Sequence, residues 1–308
     1  MRVAVIGLGS MGMGAALNLL RTPGLDVTGC DPRQAARDEF AAAGGIVVDR
    51  AAGLPQDTEA VLVLVVSAGQ AEAALFGREG CAPRLAPGAV LIVASTMAPE
   101  AARTLAGQAE AQGFRYVDAP VSGGATGARA GTMTVMAAGS PAAMARARPV
   151  LDAVAKQVWH LGEAPGLGST MKVVHQLLAG VHIAAAAEAM ALGIKAGVDP
   201  RLLYDIVVGA AGNSWMFENR MPHVLDADET PRSAVDIFVK DLGLVGDLAQ
   251  AVAAPAPLAA QAHQMFVSAR AQGHGGKDDA FVIRAYQALS GIVLPGEAPR
   301  KAPGKAPR

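Results

Sequence analysis

Hydrophobic positions divide the chain into two halves of different period. Through residue 160, short apolar runs fall at 2–6, 25–30, 60–66, 89–94, 115–119, 133–138 and 157–160. The runs at 60–66 and 89–94 are continuously apolar, as in strands buried on both faces. Helical patterns around 71–76, 100–112 and 141–155 lie between the runs. Alternation at this spacing predicts a doubly wound parallel sheet, with ligands at the carboxyl ends of its strands. Beyond residue 164 the pattern turns helical throughout, at 199–211, 215–225, 234–252, 258–271 and 278–289.

The halves meet in residues 169–195, within the longest stretch that lacks both proline and a run of turn residues. This stretch is apolar almost all round, the pattern of a helix buried on every side. Ser169 or Thr170 is placed to cap its start, and Gly197 lies just past its end. The length would suffice for a membrane span. Lys172, His175, His182 and Glu188 oppose that reading, because charge inside a bilayer is costly. Lys172, His175 and Gln176 stand at i, i+3 and i+4, on one helical face. His182 reads as a satisfied core histidine.

The first strand runs straight into Gly7-Leu8-Gly9-Ser10-Met11-Gly12, and a helical pattern follows. In a strand–G-x-G-x-x-G–helix unit the glycines let a pyrophosphate approach, and the helix N-terminus supplies N–H groups for it. Asp31 ends the second strand about 20 residues further on, where a carboxylate accepts hydrogen bonds from the adenosine ribose. It would repel a 2′-phosphate, so NAD is the expected cofactor. The alternative for Asp31 is a cap on the turn at Pro32. Ser67 and Thr96 close two strands, where each either touches the nicotinamide ribose or begins a loop. Ser122-Gly123-Gly124 follows another strand and offers a hydroxyl beside backbone N–H groups, a nest suited to a carboxylate. The alternative there is a flexible linker.

These patterns predict an α/β fold. A Rossmann-type doubly wound parallel sheet occupies 1–164. An all-α C-terminal domain follows at 165–294, joined through the long central helix and serving substrate binding and oligomerisation. The Pro/Gly/Lys-rich end, 295–308, is expected to be a disordered tail. The 308 residues suit about two domains, and 52% hydrophobic against 17% charged residues permits a large core. A net charge of -1 gives no electrostatic case for nucleic acid or an anionic membrane. Cys30 and Cys81 have no metal-ligand spacing and imply a reducing compartment. With a strand at the very start and no signal-peptide pattern, the cytoplasm is expected. The six histidines suggest no metal site. A homodimer or homotetramer fits the apolar helical half.

Four signatures together resemble the β-hydroxyacid dehydrogenase family, which includes 3-hydroxyisobutyrate dehydrogenase and tartronate semialdehyde reductase. They are Gly7 to Gly12, the stretch DAPVSGGATGARAGT from Asp118, Gly166-Leu167-Gly168 followed by Lys172, and Lys240-Asp241. The resemblance covers nearly the whole chain. It implies a small hydroxy-acid substrate, Lys172 as the catalytic residue, and Ser122, Gly123 and Gly124 around the substrate carboxylate. It also implies that Thr96 and Lys240 contact NAD. A lysine serves as general base if burial lowers its pKa; the alternative for Lys172 is a structural ion pair. One position departs from the family pattern: asparagine is usual three residues after the lysine, and His175 stands there. A sugar-acid branch of the family carries histidine too. The likeness to that branch implies oxidation of L-threonate at C2 to 2-dehydro-L-erythronate, with His175 on a substrate hydroxyl or orienting the lysine. 3-Hydroxyisobutyrate and tartronate or succinic semialdehyde remain as other substrates. An imine-reducing relative and a non-catalytic cofactor-binding protein are the rival classes; the retained Lys172 opposes the first, and intact Lys172, Lys240 and Ser122 oppose the second.

Overall fold

In the computed structural model, which describes residues 1–298, the chain forms two units, Met1–Val174 and one that begins at His175. The first is built on six strands: β1 (Arg2–Ile6), β2 (Asp26–Cys30), β3 (Ile46–Val48), β4 (Thr58–Val63), β5 (Leu85–Val93) and β6 (Arg115–Asp118). They lie in the order β3-β2-β1-β4-β5-β6 and pair in parallel throughout. The crossovers are α1 (Ser10–Leu20), α2 (Gln34–Ala42), α3 (Ala68–Phe76) and α4 (Pro99–Ala111). Side chains alternate along each strand, so the sheet feeds two cores. Val3 and Val5 of β1 enter one, and Ala4 and Ile6 enter the other. Strand order reverses between β1 and β4, the kind of switch point at which α/β proteins bind ligands.

One expectation needs correction. The runs at 133–138 and 157–160 do not extend the parallel sheet. They form a second sheet, ordered β7 (Val121–Ser122), β8 (Met133–Ala137) and β9 (Ala155–His160). The cause is the connection after β6. A parallel neighbour needs a crossover of a dozen or more residues, and only Ala119 and Pro120 separate β6 from β7. The chain turns there instead, and β7 pairs antiparallel with β8. The short helix α5 (Gly124–Ala130) joins β7 to β8, and α6 (Pro141–Val154) joins β8 to β9.

The long helix, α7 (Leu167–Lys195), begins two residues earlier than its pattern predicts. Among the described residues it is the one helix long and apolar enough to cross a membrane, by length and composition; half of its most apolar window is buried within the protein. It is not buried on every side. Leu167, Met171, Val174 and Leu178 form an exposed stripe at spacings of three and four. His182 continues that stripe and is exposed, contrary to the core-histidine expectation.

In the second unit, α8 (Pro200–Val208) is capped by Asp199 and α9 (Trp215–Leu225) by Ser214. Then come α10 (Val235–Ala251), α11 (Pro257–Ala269) and α12 (Ile283–Ser290). A buried ionic network ties α9 to the segment before α12. Arg220 Nε donates to Asp279 Oδ1 at 2.6 Å, and His223 Nδ1 lies 2.8 Å from Asp278 Oδ1. Burial outweighs the Arg220 charge and pushes the Asp279 carboxyl up to about 6. The expected tail starts at residue 295, yet Glu297 pairs with Arg284 and accepts a 2.5 Å hydrogen bond from Gln287. From 299 onward the tail lies outside the described residues.

Candidate active site

The glycine loop is shaped by backbone crowding. Gly7 has φ +93°, and a Cβ on it would stand 2.6 Å from the Leu64 carbonyl oxygen. A Cβ on Gly12 would stand 1.7 Å from the Gly7 oxygen, so the first turn of α1 folds directly onto the end of β1. Gly9 is the opposite case: nothing lies within 4 Å of a Cβ there. Gly9 also starts α1 without a side-chain cap. The first-turn N–H groups, around Ser10 and Met11, therefore have no cap from the preceding residue and open space beside it, as an anion site at a helix N-terminus requires. Asp31, 4% exposed, accepts from Leu8 N–H at 2.8 Å, and from Arg33 N–H at 2.9 Å and Nε at 3.0 Å. Burial pushes its carboxyl up, but the Arg33 and Leu8 hydrogen bonds outweigh that and leave it below the usual range. These residues fit a dinucleotide: an open glycine turn for the pyrophosphate and an ionised carboxylate one strand away for the ribose.

The same helix holds the loop after β7. A Cβ on Gly14 would stand 2.5 Å from the Arg129 nitrogen, so α1 and α5 meet backbone to backbone. Asn18 Nδ2 locks the contact with bonds to the Ala128 carbonyl at 2.7 Å and the Gly14 carbonyl at 2.9 Å. Gly123 and Gly124, at φ +132° and +60°, turn the chain between Ser122 on β7 and the start of α5. Ser122 is partly exposed beside them. The loop is therefore a shaped turn between paired elements, and the flexible-linker alternative falls.

Ser67 caps α3, its hydroxyl accepting from Gln70 N–H at 3.2 Å. Thr96 lies just past β5, partly buried. Lys172 is 6% exposed in the second turn of α7. Its helix does not use Ser169 or Thr170 as the cap. Asp118, at the end of β6, accepts instead from the N–H groups of Gly166 at 3.0 Å and Ser169 at 2.8 Å, and from Ser169 Oγ at 2.7 Å. Within the second unit, His175 Nδ1 lies 3.0 Å from Gln176 Oε1, and Gln176 Nε2 donates to Asp241 Oδ2 at 2.5 Å. Lys240 Nζ lies 2.6 Å from Asp241 Oδ1. The relay thus joins His175 to Lys240 through two buried groups. Among the described residues, no group of three His, Cys, Asp or Glu side chains could hold a metal ion.

Known proteins are similar to this chain over most of its length. Residues 2–162 match the NAD binding domain of 6-phosphogluconate dehydrogenase, and residues 166–286 match the model described as NAD-binding of NADP-dependent 3-hydroxyisobutyrate dehydrogenase. L-threonate dehydrogenase of Cupriavidus necator is 52% identical over 296 residues, covering 96% of this chain and 98% of its own. The Escherichia coli K12 protein of the same name is 53% identical over 295 residues, 96% of each chain. A Salmonella typhimurium crystal structure, described as 3-hydroxyisobutyrate dehydrogenase, is 51% identical. It has a TM-score of 0.89 and covers 92% of this chain and 99% of its own.

The chain belongs to the β-hydroxyacid dehydrogenase family.

As a β-hydroxyacid dehydrogenase it is an NAD-dependent oxidoreductase, and Asp31 at the end of β2 agrees with that cofactor. The signature residues Gly7 to Gly12, Asp31 and Ser122 to Gly124 all lie in the first unit, around α1. Asp118, Gln176 and Asp241 were not singled out from sequence as site residues. Each is a buried polar side chain whose partner stands 48 to 65 residues away. The local hints were Gln176 on the Lys172 face and the places of Asp118 and Asp241 within two of the signatures.

Proposed function

We propose that this chain oxidises L-threonate at C2 to 2-dehydro-L-erythronate with NAD, using Lys172 as general base. The supporting observation is identity above half, over nearly the full length, to two proteins named L-threonate dehydrogenase. Lys172 has the surroundings the role needs: it is nearly closed to water on a helix whose first turn is clamped. When bound, the nicotinamide supplies the two-electron acceptor. The neutral amine of Lys172 takes the hydroxyl proton as C2 loses its hydride. Ser122 Oγ and the N–H groups of Gly123 and Gly124 hold the substrate carboxylate. His175 reads a further hydroxyl, where most of the family carries asparagine. Gly7, Leu8, Gly9, Ser10, Met11 and Gly12 cradle the pyrophosphate, and Asp31 takes the adenosine ribose. Ser67, Thr96 and Lys240 serve the nicotinamide half, and residues 165–294 act as the substrate and oligomerisation domain.

A second reading, 3-hydroxyisobutyrate, is favoured by the description of the Salmonella structure. NADH absorbance with L-threonate, 3-hydroxyisobutyrate, glycerate and tartronate semialdehyde separates the two. L-Threonate should lead in kcat/KM by about tenfold or more, and His175→Asn should narrow that lead. A wild-type preference for 3-hydroxyisobutyrate refutes the threonate assignment. The proposed setting is the cytoplasm, as a homodimer or homotetramer. Two free buried cysteines and the exposed apolar stripe on α7 support it. Light scattering coupled to gel filtration reads the oligomeric state, and a monomer at micromolar concentration would oppose it.

A further inference from the structure

The residue that should cap α7 cannot do so. Gly166 occupies that position, since its carbonyl accepts the first helical bond from Thr170 N–H at 2.8 Å. Its φ is +93°, and a Cβ there would stand 2.7 Å from Arg103 Nη1 and 3.0 Å from the Pro99 oxygen. No side chain fits, so the capping group has to come from elsewhere in the fold. It comes from Asp118. Its carboxylate takes the bonds from Gly166 N–H, Ser169 N–H and Ser169 Oγ. Gly168 explains the closeness: a Cβ on it would meet the backbone carbonyl oxygens of Met136 at 2.5 Å and Asp118 at 2.6 Å. The first turn of α7 therefore rests on the ends of β6 and β8 with no methyl group to spare.

We infer that Asp118 is the positioning residue for Lys172, fixing the direction in which the start of α7 presents that side chain. This rests on the reading of Lys172 as the base. Lys172 follows Ser169 by three residues, so the two share a helical face one turn apart. Ser169 is held by Asp118 through both its N–H and its hydroxyl, which blocks rotation of that turn as well as its sliding. A cap alone would not require an acid. A buried carboxylate is costly, and here burial outweighs its donors and pushes the Asp118 carboxyl up. Asp118 is 1% exposed, so water cannot replace its bonds. A proton-transfer group displaced by about 1 Å can lose on the order of 100-fold in rate, which makes a rigid anchor one turn before the lysine useful.

The test is a double-mutant cycle on the full-length enzyme. Hydride transfer is measured in single turnovers with enzyme in excess, for wild type, Asp118→Asn, Lys172→Met and the double variant, with NADH affinity by fluorescence. Asp118→Asn should lower the rate by about tenfold or more and leave NADH affinity within about twofold. In the Lys172→Met background the same change should cost less than about twofold, because the group it positions is gone. Equal losses in both backgrounds, or a rate within twofold of wild type, overturn the inference. Lys172→Met retaining more than about a tenth of the wild-type rate instead removes the reading of Lys172 itself. If Asp118→Asn does not fold, Ser169→Ala runs the same cycle, removing one donor from a carboxylate that stays in place.

Discussion

Leu8 N–H donates to the Asp31 carboxylate at 2.8 Å, so the middle of the glycine loop and the end of β2 form one hydrogen-bonded unit. The carboxylate orders the loop, and its proposed second task is to present an anion to the ribose. Asp31→Asn should lower kcat/KM for NAD by about tenfold, from hydrogen bonds to a charged group worth about 1.5–3 kcal/mol. NADP should lose less or gain. An unchanged ratio of the two cofactors would remove Asp31 from the ribose site.

The same bonds predict a pH effect on stability. The folded Asp31 carboxyl lies below the usual range, so folding favours its ionised form. Its contribution is complete above the unfolded pKa of about 3.9 and is lost as pH falls through the lower folded value. Urea unfolding should show wild type losing its margin over Asp31→Asn as pH drops from about 5 to 3. A margin that stays constant over that range shows that the Arg33 and Leu8 bonds do not bias the titration.

Gly14 couples the glycine loop to the proposed substrate loop after β7. Gly14→Ala places a methyl against the Arg129 nitrogen and the Ala128 carbonyl, where α1 and α5 touch. Overpacking of this kind costs about 1–3 kcal/mol. Melting should therefore fall by several degrees, and KM should rise for NAD and for the hydroxy acid together. A rise for NAD alone would show that α5 does not hold the substrate loop.

Ser122 should affect the acid alone. It ends β7, opposite Thr134 of β8, where truncating the hydroxyl leaves the backbone ladder intact. Ser122→Ala should raise KM for L-threonate by roughly tenfold or more, the loss of one hydrogen bond to a carboxylate. KM for NAD should stay the same. An unchanged KM for the acid assigns the loop a structural role.

Much of this protein is readable residue by residue. The apolar runs mark β1, β2, β4, β5 and β6, because strand burial has a short period that survives in any window of the chain. The fingerprint and Asp31 are readable for a related reason: the proposed cofactor site is made of consecutive residues at one strand end and of the end of the next strand. Folding in three dimensions settled the rest. The runs at 133–138 and 157–160 look like further parallel strands, and a connection of two residues after β6 sends them to another sheet. Ser169 looks like a helix cap, and it is held by Asp118, 51 residues earlier. His182 looks like a core residue, and the side of α7 left open exposes it. Asp241 reaches Gln176 across 65 residues. Bonds over such separations leave no periodic trace, because either partner would read the same if the other were absent.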